Sequence, residues 1–412
     1  LKPPRLTISS PLHRSAAVAD RSSLDGVCLE RASMSWDLDA VFIIDESPDE
    51  AFAMASQKLD ASRATGDARG TALGLIKVGE ALALMGRVDE AQGQAYEAMG
   101  MCNEIKFEEG RAAAMNVMTQ VMLKRGRDEE ELEEALDSAS DTLKLFQKLA
   151  YRKGEAVAQA TMSSVYKGMS RSAPAIKCAK EALAIFAELG EQRSMAQMYH
   201  ACMGGYLVKS PPDTARAAKQ LQKALAIYEE LGDKSKQAAC MHAAATVEVT
   251  AASYKKAAEY LAKSQALYIE AGDFHGRAKA MESLMDLYLE ADMYVEAVRV
   301  AKERVTVFHD GGDMQGEGKA LLRLGGILLD HGDFARAKTM AELAVNVFVG
   351  IGDYDSINGA KAIMDGAEKA KTIEDINTAL VWANDYTHVP ITLVVEPGLT
   401  KKIADDFAGL AH

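Results

Sequence analysis

A pair of residues, glycine followed by an acid, returns along most of this chain at a nearly fixed interval, and that interval limits the fold more than any other feature. It stands at Gly66-Asp67, Gly190-Glu191, Gly232-Asp233, Gly272-Asp273, Gly312-Asp313 and Gly352-Asp353, with degenerate copies at Lys106-Phe107 and Ala150-Tyr151. Successive marks are 40, 44, 40, 42, 40, 40 and 40 residues apart. Periods of this length belong to repeat architectures, in which each unit buries its apolar face only against its neighbours. Glycine ends one helix in the left-handed conformation and the acid caps the next, so each mark reads as a helix junction. The four extra residues fall in the acidic run Arg127-Asp128-Glu129-Glu130-Glu131-Leu132 and the two extra in Ser210-Pro211-Pro212-Asp213. Both runs lie between paired helices, where insertions cost little.

Other positions repeat in the same frame. Four residues before the junction stands an aromatic (Phe146, Phe186, Tyr228, Tyr268, Phe308, Phe348), and 25 residues after it stands Ala91, Ala175, Ala257, Ala297 or Ala337. Small residues there let two helices approach closely, and the aromatic fills the wedge between neighbouring units. A turn divides each unit, as at Gly86-Arg87-Val88-Asp89 and Gly332-Asp333-Phe334-Ala335. Apolar residues beside it keep helical spacing (Ala72, Leu75, Ile76, Val78, Leu82). Each unit is therefore a helical hairpin. Aromatics at 6% and only 9 prolines agree with an all-α chain, and 48% hydrophobic residues suffice for a packed core.

These residues resemble the tetratricopeptide repeat. Gly79 and Gly325, the large residues Leu82, Tyr166, Tyr206 and Tyr288, the alanine column at Ala91, and Ala98, Ala182, Ala224 and Ala344 match that family's pattern. The period and the recurring G-D-x-x-G (Gly272 to Gly276, Gly312 to Gly316) are similar to the long variant of Pins-type polarity adaptors and kinesin light chains. Where those adaptors carry L-G-N, this chain has Val78-Gly79-Glu80, Met162-Ser163-Ser164, Ala244-Ala245-Thr246 and Leu324-Gly325-Gly326. The resemblance spans about residues 47–370 and implies an α-solenoid, a right-handed superhelix of about seven hairpins with atypical capping ends.

Three segments follow: an N-terminal extension or cap over 1–46, the repeat array over 47–371 and a C-terminal capping segment over 372–412. Ser47-Pro48-Asp49-Glu50 reads as a capping box opening a helix to about Ala64. Trp36 to Asp45 holds the apolar run Ala40-Val41-Phe42-Ile43-Ile44, a strand or capping helix. After the last junction one helix is expected over Tyr354 to Lys371 and another over Thr372 to Tyr386. A strand at Val389 to Val395 and a final helix after Thr400 follow. Solenoid ends need such caps, and the same segments suit docking arms.

The 47 basic and 60 acidic residues leave a net charge of −13, which opposes general binding to nucleic acid. Five scattered cysteines without a C-x-x-C pair argue for a reducing compartment, cytoplasmic or organellar. Residues 1–24, with Lys2, Arg5, Arg14 and Arg21 against Asp20, have the composition of a targeting remnant or a tail. No run of about 18 apolar residues exists, so no transmembrane segment is expected. Neither H-E-x-x-H, G-x-G-x-x-G, a phosphate loop nor G-x-S-x-G occurs, so no catalytic residue, cofactor or metal site is assigned. Asp37 and Asp39 are the one acidic pair that would suit a metal-dependent regulator or enzyme.

In tetratricopeptide superhelices the first helix of every unit lines a concave groove, and the resemblance places two columns on its wall. Ten residues after the junctions stand Ile76, Asn116, Ala160, His200, His242, Glu282 and Leu322. Fourteen after stand Glu80, Gln120, Ser164, Gly204, Thr246, Asp286 and Gly326. Glu80, Asn116, Gln120, His200, His242, Glu282 and Asp286 are the candidate partner-binding residues. Neither column contains Lys or Arg, so a protein or peptide partner with basic or polar groups is expected. Two further readings make the chain a fixed subunit of a large assembly, or an accessory subunit of an organellar complex docking through its ends.

Overall fold

The computed structural model describes residues 48–126 and 128–381, all of them helix or short turn with no strand. The segment around Trp36 to Asp45, the pair Asp37 and Asp39, the strand expected at Val389 to Val395 and the helix after Thr400 lie outside the described residues. Sixteen helices fall into two compact units that divide between Arg125 and Gly126. The first unit holds α1 (Pro48–Thr65), α2 (Ala68–Leu84), α3 (Val88–Glu104) and α4 (Glu108–Arg125). The second begins with α5 (Glu129–Lys148), α6 (Arg152–Gly168), α7 (Ser172–Leu189), α8 (Gln192–Leu207), α9 (Thr214–Glu230) and α10 (Lys234–Thr250). It continues with α11 (Tyr254–Ala271), α12 (Phe274–Glu290), α13 (Tyr294–Asp310), α14 (Met314–Asp330), α15 (Phe334–Ile351) and α16 (Tyr354–Val381). Even-numbered helices open hairpins and odd-numbered ones close them. The break expected between Lys371 and Thr372 is absent, since no glycine or proline stands there to interrupt α16.

Each junction is built as its sequence demands. The six junction glycines have φ from +68° to +74°, while the degenerate copies hold Lys106 at +57° and Ala150 at +53° in the same left-handed region. The next amide then bonds back over the helix end, from Asp67 to Ser62 O, Asp233 to Tyr228 O and Asp273 to Tyr268 O, each at 3.0 Å. The same aspartates cap the following helix, accepting from Gly70 N at 2.9 Å, Lys236 N at 3.0 Å and Gly276 N at 2.7 Å. In the second unit the acid also takes a side chain from the preceding hairpin: Lys153 reaches Glu191 at 3.0 Å, Arg193 Asp233 at 2.9 Å and Ser235 Asp273 at 2.7 Å. His275 and Gln315 do the same for Asp313 and Asp353. In the first unit Arg69, at the equivalent position, lies 4.3 Å over the Phe107 ring.

The packing columns are buried. Phe146, Phe186 and Phe348 are at most 1% exposed, and Ala91, Ala135, Ala175, Ala217, Ala257, Ala297 and Ala337 likewise. Ala135 and Ala217 belong to this column although the insertions shift them out of the simple count. The small residues facing it stand close to its backbone: a Cβ on Gly79 or Gly325 would lie 3.5 or 3.4 Å from the carbonyl of Ala91 or Ala337, in ordinary van der Waals contact. Ser163 uses that proximity to donate to Ala175 O at 2.8 Å. One packing position departs. Arg304 stands where other hairpins carry Ala224 or Ala344, and its guanidinium donates to Ala278 O at 3.1 Å.

Among helices two apart, close approaches join α2 to α4 in the first unit and α6 to α8, α10 to α12 and α14 to α16 in the second. All are first helices of successive hairpins. Within each unit, then, these helices form the inner side of the stack, as tetratricopeptide-type packing requires.

The second glycine of G-D-x-x-G has its own cause, since a Cβ on Gly276 would fall 2.2 Å from Cε1 of the Tyr268 ring. Gly276→Ala should therefore destabilise the protein by ~1–3 kcal/mol through overpacking. Gly326→Ala, on α14 with nothing within 4 Å of the new methyl, should stabilise by ~0.5–1 kcal/mol. Urea unfolding of the two variants checks the opposite signs.

Candidate partner-binding face

On a helix with 3.6 residues per turn, positions 3–4, 7, 10, 14 and 17 after a junction share one face. The seven candidates lie on that face, but the two units treat them differently. In the first unit α2 is buried from Gly70 to Ala83, Lys77 included. Glu80 is 4% exposed and Asn116 1%, and Glu80 accepts from Gln120 Nε2 at 3.4 Å. These side chains form an interior link between α2 and α4, so they do not stand on an open wall.

The second unit carries the open part. His200 on α8 and Thr246 on α10 are exposed, and His242, Glu282 and Asp286 are half-buried. His242 Nε2 lies 2.7 Å from Ser283 Oγ on α12, so adjacent first helices are joined through the histidine column. Lys167 comes from the last turn of α6 and runs across Gly204, with Cδ 3.2 Å and Nζ 4.0 Å from the place a Cβ would occupy. Lys236 on α10 and Lys279 on α12 complete a set of three ammonium groups acting on His200. The pKa of His200 falls to about 4, first from desolvation and then from Lys167, Lys279 and Lys236. His242 is lowered by burial and by Lys279.

The two columns contain no Lys or Arg, but the face does. The lysines stand 17, 4 and 7 residues after their junctions, one to two turns outside the columns, and counting the whole 3.6-residue face would have found them. The acids of the columns are also not free. Glu282 receives Arg304 at 3.1 Å, the arginine that replaces a small packing residue, and Asp286 receives Arg323 at 2.7 Å. Glu290, one turn beyond Asp286, has no ion pair among the described residues, and burial and Asp286 raise its pKa. With His242, Ser283 and Asp286 it borders a cavity of about 190 Å³ floored by Leu261 and Leu287. The open face thus passes from lysines around His200 to carboxylates at Glu290.

A larger cavity, about 860 Å³, lies among α13, α15, α16 and the turn before α15. Within it the Tyr294 and His331 rings stack at 3.9 Å, His331 Nδ1 donates to Ile327 O at 3.1 Å and Lys338 meets Glu368 at 2.6 Å, while the buried Tyr294 hydroxyl has no hydrogen-bond partner among the described residues. Among the described residues no three His, Cys, Asp or Glu side chains gather in a way that could hold a metal ion. No helix there is long and apolar enough to cross a membrane.

The hairpin array, its left-handed junctions and its buried small-residue column make this fold a tetratricopeptide-type α-solenoid. No protein-family model and no curated protein matches the sequence. Solved structures with similar folds include a Rap protein complexed with competence and sporulation factor, at 15% identity and TM-score 0.49, covering 85% of this chain and 99% of that one. The apo quorum sensor NprR from B. thuringiensis is 10% identical at TM-score 0.44, with 84% and 99% covered. A P. anserina structure described as a kinesin light chain with nearly identical repeats is 15% identical at TM-score 0.38, covering 48% of this chain and 94% of that one.

Because the fold lowers the His200 pKa from 6.5 to about 4, the unfolded chain binds its proton first. His200 therefore draws on stability as pH falls from 6.5 towards 4, and does so no further below that window. NMR titration of its C2–H should give a midpoint near 4. Lys279→Gln should raise the midpoints of both His200 and His242, whereas unmoved midpoints would remove the lysine from the account.

Proposed function

We propose that the chain is a binding scaffold that holds a segment of a partner polypeptide along the open first-helix face of the second unit. The carrying observation is that charged groups without an ion pair among the described residues (Lys167, Lys279 and Glu290) share that face with His200 and His242. Elsewhere on the first helices, Lys153 and Arg193 are matched to acids of the next hairpin and Arg323 to an acid of the preceding one. Charges left over on one face, beside exposed hydroxyl and imidazole groups, are what a polar partner can complete. The scaffold contributes pre-organisation: its side chains are fixed by the stack, so the partner bears most of the ordering cost. The reading assigns the chain no catalytic step.

A photo-cross-linking residue at position 200 or 246 should capture the partner from the native source, and one at Lys256 on the outer helix α11 should not. Capture mainly through position 256 would move the interface to the outer side. His200→Ala combined with Lys279→Ala should weaken the captured complex about tenfold, ~1.4 kcal/mol, without loss of helicity.

A further inference from the structure

The cavity of about 190 Å³ between α10 and α12 combines an apolar floor with an acidic rim. Leu261 of α11, Leu287 of α12 and Ala245 of α10 make the floor, each at most 3% exposed. One wall is fixed, because His242 Nε2 on α10 lies 2.7 Å from Ser283 Oγ on α12. Burial and Lys279 lower the His242 pKa, so that wall carries no positive charge at pH 7. Thr246, Val249 and Glu290 stand exposed at the mouth. Asp286 gives Oδ1 to Arg323 at 2.7 Å, whereas Glu290, one turn further along α12, has no ion pair among the described residues. Lys279 does not reach it, standing eleven residues earlier on the same helix, roughly 16 Å away along the axis.

We propose that this cavity seats one lysine side chain of the partner segment. The proposal rests on the groove reading above and names the residue selected at this point of the groove. Drug-sized ligands need cavities of about 300–1,000 Å³, so this one suits a single long side chain. Lysine carries its charge at the end of a flexible four-carbon stem. The stem covers Val249, Leu261 and Leu287 while the ammonium stays at the rim, as long basic side chains do on apolar surface. Its three N–H donors meet acceptors from two helices: the Glu290 and Asp286 carboxylates of α12 and the Thr246 hydroxyl of α10. The Thr246 oxygen keeps its capacity to accept, since its own hydrogen goes to His242 O. An apolar side chain would leave Glu290 unmatched, and an acid would meet like charge. Arginine suits the rim less, because the Arg323 guanidinium already holds Asp286 there.

Fluorescein-labelled hexalysine amide is the probe, with hexa-arginine and hexaglutamate as comparisons, on the full chain at low salt. Hexalysine should bind saturably, and Glu290→Gln should weaken it about fivefold, the upper range for a partly exposed ion pair. Glu259→Gln removes the same charge from the outer helix α11 and should change binding by less than about twofold, which separates the cavity from the general pull of a chain carrying −13. Both acids are exposed, so the fold should survive in each variant, and unchanged thermal unfolding verifies this. Methyl NMR signals of Leu261 and Leu287 should shift on binding, and those of Leu75 in the first unit should not. Absence of saturable binding, equal losses in the two variants or unmoved Leu287 methyls each overturns the proposal. Tighter binding of hexa-arginine or hexaglutamate does so too. If cross-linking at position 200 still captures the partner in those cases, the groove reading stands without a lysine anchor.

Discussion

At every junction that carries aspartate, the amide after the left-handed residue reaches back to close one helix while the side chain beside it opens the next, and the remaining geometry of the stack hangs on that exchange. At Gly272-Asp273 the Asp273 amide bonds Tyr268 O at 3.0 Å, its carboxylate caps α12 through Gly276 N at 2.7 Å, and Ser235 of the preceding hairpin reaches it at 2.7 Å. One residue thus satisfies orphan groups of two helices and holds two hairpins in register. The tight reversal also swings the Tyr268 ring over Gly276, which is why that position has no Cβ. Where the glycine is lost, at Lys106 and Ala150, the left-handed conformation persists because the surrounding packing over-determines it.

Fixing the hairpins fixes which faces meet. The alanine column and the aromatics are consumed between hairpins, and what remains on the inner side is polar. In the second unit that remainder is partly neutralised, Glu282 by Arg304 and Asp286 by Arg323, leaving lysines at one end and Glu290 at the other. Desolvation and those lysines hold the His200 imidazole below its ordinary range.

Much of this was legible in the residues. Glycine-acid junctions, the aromatic four residues earlier and the small-residue column are local patterns, and they place the helices to within a turn. Ala135 and Ala217 were hidden by insertions that shift the count without changing the packing. Glu80 and Asn116 look like groove residues from their column, yet they lie in the interior because α2 is covered around its whole circumference. Arg304 breaks the small-residue rule, and nothing in a linear pattern tells that it reaches Glu282. The lysines around His200 lie outside the two columns compared.

The sequence by itself determined the hairpin, its period and the tetratricopeptide-type stack, because helix ends and apolar spacing depend on residues a few positions apart. Only the tertiary structure decided the character of the inner face. Whether an acid on that face is open or neutralised depends on side chains from other helices, 22 residues away for Glu282 and 37 for Asp286. The surroundings of His200 depend on lysines brought together from three hairpins. Coulomb interactions follow distance in space, and distance in space is settled by how the hairpins stack.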